Sequence, residues 1–86
     1  MKIEILGAKC ANCSKLAANV WGAVDDLHLS PDPEIIKVED PREIADRGNF
    51  SLPALAIDGA IVSSGVVPTR SEVMSMITTA LVNAEA

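Results

Sequence analysis

The chain predicts an α/β fold, with a mixed four-stranded sheet carrying helices on both faces in the order βαβαββα. Three observations support this. Short segments with period-two apolar alternation follow one another with segments at helical spacing. The near-continuous apolar run Pro53-Ala54-Leu55-Ala56-Ile57 suits a strand covered on both faces. Turn and cap residues stand between the segments. At 86 residues the chain makes one domain, 1-86, and a hydrophobic fraction of 49% supplies its core.

Lys2 to Leu6 is the first predicted strand, with Ile3 and Ile5 on one face and Glu4 on the other, read as a solvated carboxylate. After the turn Gly7-Ala8-Lys9, the spacing of Leu16, Val20, Val24 and Leu27 predicts a helix from about Cys10 to Leu27, with Trp21 widening its apolar stripe. Two prolines in three positions make Leu29 to Pro33 a loop. Glu34 to Val38 is the second strand, and strand–helix–strand of this length implies a parallel pair. Asp40-Pro41-Arg42-Glu43 is a helix start, with Asp40 capping and Pro41 in the first helical position. Gly48 stops that short helix. The third strand runs Pro53 to Ile57, Asp58-Gly59 is a type I′ hairpin turn, and Ala60 to Ser63 returns. Thr69-Arg70-Ser71-Glu72 is a capping box opening a last helix, from Ser71 to about Asn83.

Composition excludes several function classes. A formal charge of -5 argues against nucleic acid and anionic lipid, which need a basic patch. No apolar stretch is long enough to span a bilayer. Met1-Lys2-Ile3-Glu4-Ile5 reads as a strand rather than a signal peptide, so the expected compartment is the cytoplasm. With one Trp, one Phe and no apparent exposed apolar stripe, a monomer is expected.

Two cysteines in a reducing compartment are not a structural staple, and a pair three positions apart closes too short a loop to stabilise much. Their setting suggests chemistry instead. Cys10-Ala11-Asn12-Cys13 lies where the first strand gives way to the first helix. There, unpaired N–H groups and the helix dipole favour a thiolate, the attacking form of a thiol. Lys9 and Lys15 add to this modestly. Cys13 lies one turn further on the same side and can close a disulfide with Cys10. Cys10 is therefore the candidate nucleophile and Cys13 the resolving thiol. The competing bland reading makes them two small buried residues at a helix start. Zinc wants four ligands, and His28, at the far end of the helix, cannot join the pair. His28 reads as a surface residue.

With these residues in view, the chain resembles the small thioredoxin-like proteins called redox-active disulfide proteins, reduced versions of the thioredoxin fold. The resemblance spans Met1 to about Leu81 and rests on Ile3-Glu4-Ile5-Leu6-Gly7, Cys10-Ala11-Asn12-Cys13, Pro53-Ala54-Leu55 and the Asp58-Gly59 hairpin. It implies thiol–disulfide exchange with protein substrates and an unidentified reductase, and no cofactor beyond the Cys10–Cys13 disulfide. It also implies a cis bond at Leu52-Pro53 beside the disulfide, with the Leu52 backbone pairing with a substrate strand. The Trp that precedes the first cysteine of typical thioredoxin is replaced by Lys9, and Gly-Pro between the cysteines by Ala11-Asn12. The redox potential therefore does not carry over. Glu4 is a candidate proton acceptor for Cys13 beside its reading as a solvated carboxylate.

The alternative function is a dithiol module for a soft metal, Cu(I) or arsenic, as in metallochaperones of the heavy-metal-associated type. Those end on a strand and usually carry Met two residues before the first cysteine. This chain ends on a helix and has Ala8 there. A third reading is a regulatory subunit with an idle cysteine pair.

Overall fold

The computed structural model describes residues 1–7, 11–29 and 32–85. Its elements are β1 (Lys2–Leu6), α1 (Ala11–Leu27), β2 (Glu34–Val38), α2 (Pro41–Asp46), β3 (Ala54–Ile57), β4 (Ala60–Ser64) and α3 (Arg70–Glu85), in the predicted order. They make a mixed four-stranded sheet ordered β2-β1-β3-β4. β1 runs parallel to β2, with Lys2 opposite Glu34 and Leu6 opposite Val38. β3 is antiparallel to β1, from Ile3 opposite Ile57 to Leu6 opposite Ala54. β4 closes the hairpin antiparallel to β3.

Side chains alternate across β1 and β3 and so divide the core in two. Ile3, Ile5, Leu55 and Ile57 meet Leu16 and Val20 of α1 and Val73 and Ile77 of α3. Leu6, Val38, Ala54 and Ala56 form the opposite face, covered by Ile44 of α2 and by Phe50. Each fully buried Leu or Ile contributes about 2 kcal/mol over its exposed state. The larger cluster, under α1, therefore anchors the helix that carries Cys13.

Local signals account for most boundaries. The Asp40 carboxylate caps α2 by accepting from the Arg42 N–H at 2.8 Å, and Pro41 opens the helix. Gly48, at φ 122°, follows its end. Asp58 and Gly59 both have positive φ, 49° and 87°, as a type I′ turn requires. Thr69 and Glu72 cap α3 reciprocally, each side chain accepting from the other's backbone N–H at 3.1 Å.

Several boundaries and exposures differ from expectation. α1 is described from Ala11, and Cys10 lies outside the described residues. β3 starts at Ala54, because Pro53 has no N–H for the ladder. β4 reaches Ser64, and α3 runs from Arg70 to Glu85. Trp21 does not widen the apolar stripe of α1: it is 56% exposed, and Ala17 and Ala23 take the buried flanking positions. Nor is the surface free of apolar side chains, since Ile61, Val62, Val66 and Val82 are exposed. Among the described residues no helix is long and apolar enough to cross a membrane.

Candidate active site

The strand register builds the site. Leu6 pairs with Ala54, so the next residues outward, Gly7 and Pro53, face each other at the end of the sheet. Gly7 is held there by its N–H, which donates to the Val38 carbonyl at 3.0 Å, and it adopts φ 141°, where a side chain is strained. Cys13, in the first turn of α1, brings its sulfur onto the same spot. A β-carbon on Gly7 would lie 2.7 Å from Cys13 Sγ and 3.7 Å from Pro53 Cα. Glycine is thus required by both conformation and space, and strand end, helix start and proline meet at one point.

Pro53 is buried, its bond to Leu52 is cis, and Leu52 is 46% exposed beside it. The Gly65 N–H donates to the carbonyls of both Ser51 (2.9 Å) and Pro53 (3.0 Å), fixing this segment to the end of β4. Gly65 also has positive φ, and a β-carbon there would meet the Ser51 side chain at 3.0 Å. Cys13 is partly buried and disulfide-bonded. The structure therefore brings together Cys13, Leu52 and Pro53 of the residues singled out from the sequence. Gly7, Ser51 and Gly65 were not singled out. For the first, the signals were a glycine directly after a strand and its place in Ile3-Glu4-Ile5-Leu6-Gly7.

Glu4 corrects an expectation. Its carboxylate is not solvated: the residue is 2% exposed, on a strand with neighbours on both sides. Arg47, just past α2, grips it bidentately, Nη1 to Oε1 at 2.8 Å and Nη2 to Oε2. That hydrogen bonding holds the Glu4 carboxyl below the usual carboxylate range, against the opposing effect of burial, with the charges of Arg47 and Lys2 helping. His28 is exposed at the end of α1, as expected. Among the described residues no group of three or more His, Cys, Asp and Glu side chains is placed to hold a metal ion.

A parallel β1-α1-β2 unit, an antiparallel hairpin and a cysteine against a buried proline define a protein of the thioredoxin-like class. The family model for the thioredoxin domain matches residues 1–78. The chain is 36% identical to a thioredoxin of Methanothermobacter thermautotrophicus over 77 residues, covering 90% of this chain and 97% of the relative. It is 39% identical to a thioredoxin of Methanocaldococcus jannaschii over 71 residues, 83% of this chain and 79% of that one. In fold it matches the structure of thioredoxin 1 from Thermosipho africanus along the full length of both chains, with a TM-score of 0.63 and 24% identity. The chain belongs to the thioredoxin family and is a thioredoxin-type redox protein.

Proposed function

We propose that this protein is a cytoplasmic thiol–disulfide oxidoreductase whose working pair is Cys10 and Cys13, acting on protein substrates. The observation that carries the reading is the position of Cys13 Sγ against Gly7 and Pro53, in the first turn of a helix anchored in the core. Cys10 immediately precedes that helix in sequence, where N–H groups without helical partners favour a thiolate.

In the reducing direction, the Cys10 thiolate attacks one sulfur of a target disulfide, forming a mixed disulfide and releasing one target thiolate. The Cys13 thiolate then attacks Cys10 Sγ, closing the Cys10–Cys13 disulfide and releasing the second target thiolate. Two electrons pass from dithiol to target, and a partner reductase restores the dithiol. The reverse steps oxidise a target dithiol. The backbone of Leu52, an exposed residue beside Pro53, is the proposed strand-pairing edge for the target, and the disulfide itself is the only redox group required.

The test is capture of the intermediate. Cys13→Ser should form a mixed disulfide through Cys10 that no resolving thiol cleaves, so affinity capture and reductive elution should yield specific protein targets. Cys10→Ser should retain almost none. Equal, scant capture by both variants overturns the reading, as does tight 1:1 binding of Cu(I) without disulfide reductase activity.

A further inference from the structure

A groove opens directly beside the redox site and takes no part in the exchange steps. Val38, whose carbonyl holds the Gly7 N–H, is followed by Glu39, and Leu52 precedes the buried cis Pro53. Glu39 and Leu52 both line one recess of about 390 Å³, together with Pro41 and Ile44 of α2 and with Phe50. Ile44 and Phe50 are partly buried and pack against the smaller core cluster, so the floor of this recess is apolar and fixed.

Charge decides what such a floor takes. From Glu39 to Asp46, four carboxylates (Glu39, Asp40, Glu43 and Asp46) stand against one arginine, Arg42. Asp40 is committed to capping α2, whereas Glu39 is exposed on the recess itself. Among the described residues the ion pairs are Glu4–Arg47 and Asp26–Arg70, and Glu39 belongs to neither. A wholly apolar side chain seated here would cover that carboxylate without pairing it, at a cost in desolvation. An acidic one would be repelled, on a chain already at net charge -5. A long cationic side chain meets both demands: its methylene stem lies on Ile44 and Phe50 while its charged head stays at the wet rim with Glu39.

We infer that this groove selects the target: it seats an arginine or lysine of the target polypeptide near the cysteine under attack, and Glu39 is the residue that chooses it. This selection rests on the exchange reaction proposed above, and it names the class of substrate, disulfides that lie in basic segments. A target strand paired with the Leu52 backbone passes the groove, because Leu52 belongs to both. An extended strand advances ~3.3 Å per residue, so the selected position lies within a few residues of the target cysteine. That dependence on position separates the groove from the general attraction of an acidic protein for a basic target, which is the same wherever the cation stands.

Single-turnover reduction of short peptide disulfides by the reduced full chain tests this. The peptides carry Arg at each position flanking the cysteine in turn, with citrulline, its uncharged isostere, and Glu as the comparisons. At one position or two adjacent ones, Arg should react about fivefold faster than citrulline, and Glu more slowly than either. The ratio of Arg to citrulline rates is then read within each variant. Glu39→Gln should bring it to one, and Glu39→Lys should make Glu the favoured residue. Glu34→Gln removes the same charge at the opposite end of β2 from Val38 and should leave the ratio as it is. An Arg advantage that is equal at every position, or that survives Glu39→Gln, overturns the inference. So does the lack of any advantage while the wild-type protein still reduces hydroxyethyl disulfide, a result that leaves the exchange reaction standing. Failure to reduce any disulfide, hydroxyethyl disulfide included, overturns the exchange reaction and the selection with it.

Discussion

Gly7 and Cys13 meet so closely that a β-carbon on Gly7 would sit 2.7 Å from the sulfur of Cys13. No ordinary van der Waals contact is that short, and both partners are fixed. Gly7 is tied to Val38 at the sheet end, and Cys13 stands on a helix whose Leu16 and Val20 are fully buried.

Gly7→Ala should therefore damage both stability and chemistry. A side chain at φ 141° is strained, which costs about 1–3 kcal/mol, and its methyl group displaces Cys13. Urea denaturation should show a loss of about 2 kcal/mol. The disulfide exchange rate should fall as well. A variant with wild-type stability and rate would show that the site has room the structure does not contain.

The two thiols should differ in reactivity. Cys13 is partly buried inside the first turn of α1, whereas Cys10 immediately precedes the helix in sequence. Alkylation against pH, on Cys13→Ser to read Cys10 and on Cys10→Ser to read Cys13, should show Cys10 reacting faster near neutrality. Its rate should also rise at lower pH than that of an ordinary thiol. Faster reaction at Cys13 would reverse the roles of nucleophile and resolving thiol.

The Glu4–Arg47 pair gives stability a pH dependence of known sign. The folded protein holds the Glu4 carboxyl below its ordinary value, so the contribution is complete above the unfolded pKa and is lost as pH falls through the folded one. Arg47→Met leaves the Glu4 carboxylate without its partner and should lower stability at neutral pH. Glu4→Gln should also be less stable than wild type at neutral pH, with the gap narrowing below the usual Glu range. Urea titrations at a series of pH values check both, and a gap that stays constant down to strongly acid pH would refute the assignment.

Local chemistry made much of the fold readable. Asp40-Pro41, Asp58-Gly59 and the Thr69/Glu72 box act within four residues, so the sequence alone places those turns and caps. The readings that failed depend on distant partners. Glu4 looks solvated until β3, some fifty residues on, is laid beside β1 and Arg47 reaches in. Trp21 looks like core until Ala17 and Ala23 take the buried flanks of α1. In the site, Cys13 was legible from its spacing to Cys10, and Leu52 and Pro53 from a family resemblance. Gly7 and Gly65 were not, because their roles arise only where separate segments touch.

The pairing of Leu6 with Ala54 also determines where the chain tolerates a change in length. Gly7 and Pro53 are neighbours by count from that pair, and every residue of β1 has its face set by parity. An insertion near Asn49, in the exposed segment between α2 and β3, leaves the count intact and lets the loop absorb it. One extra residue inside β1 inverts the strand, turning Glu4 towards the apolar cluster under α1 and withdrawing Gly7 from Cys13. Natural variation in length should therefore gather in the connections and spare the strands, keeping the redox centre in frame.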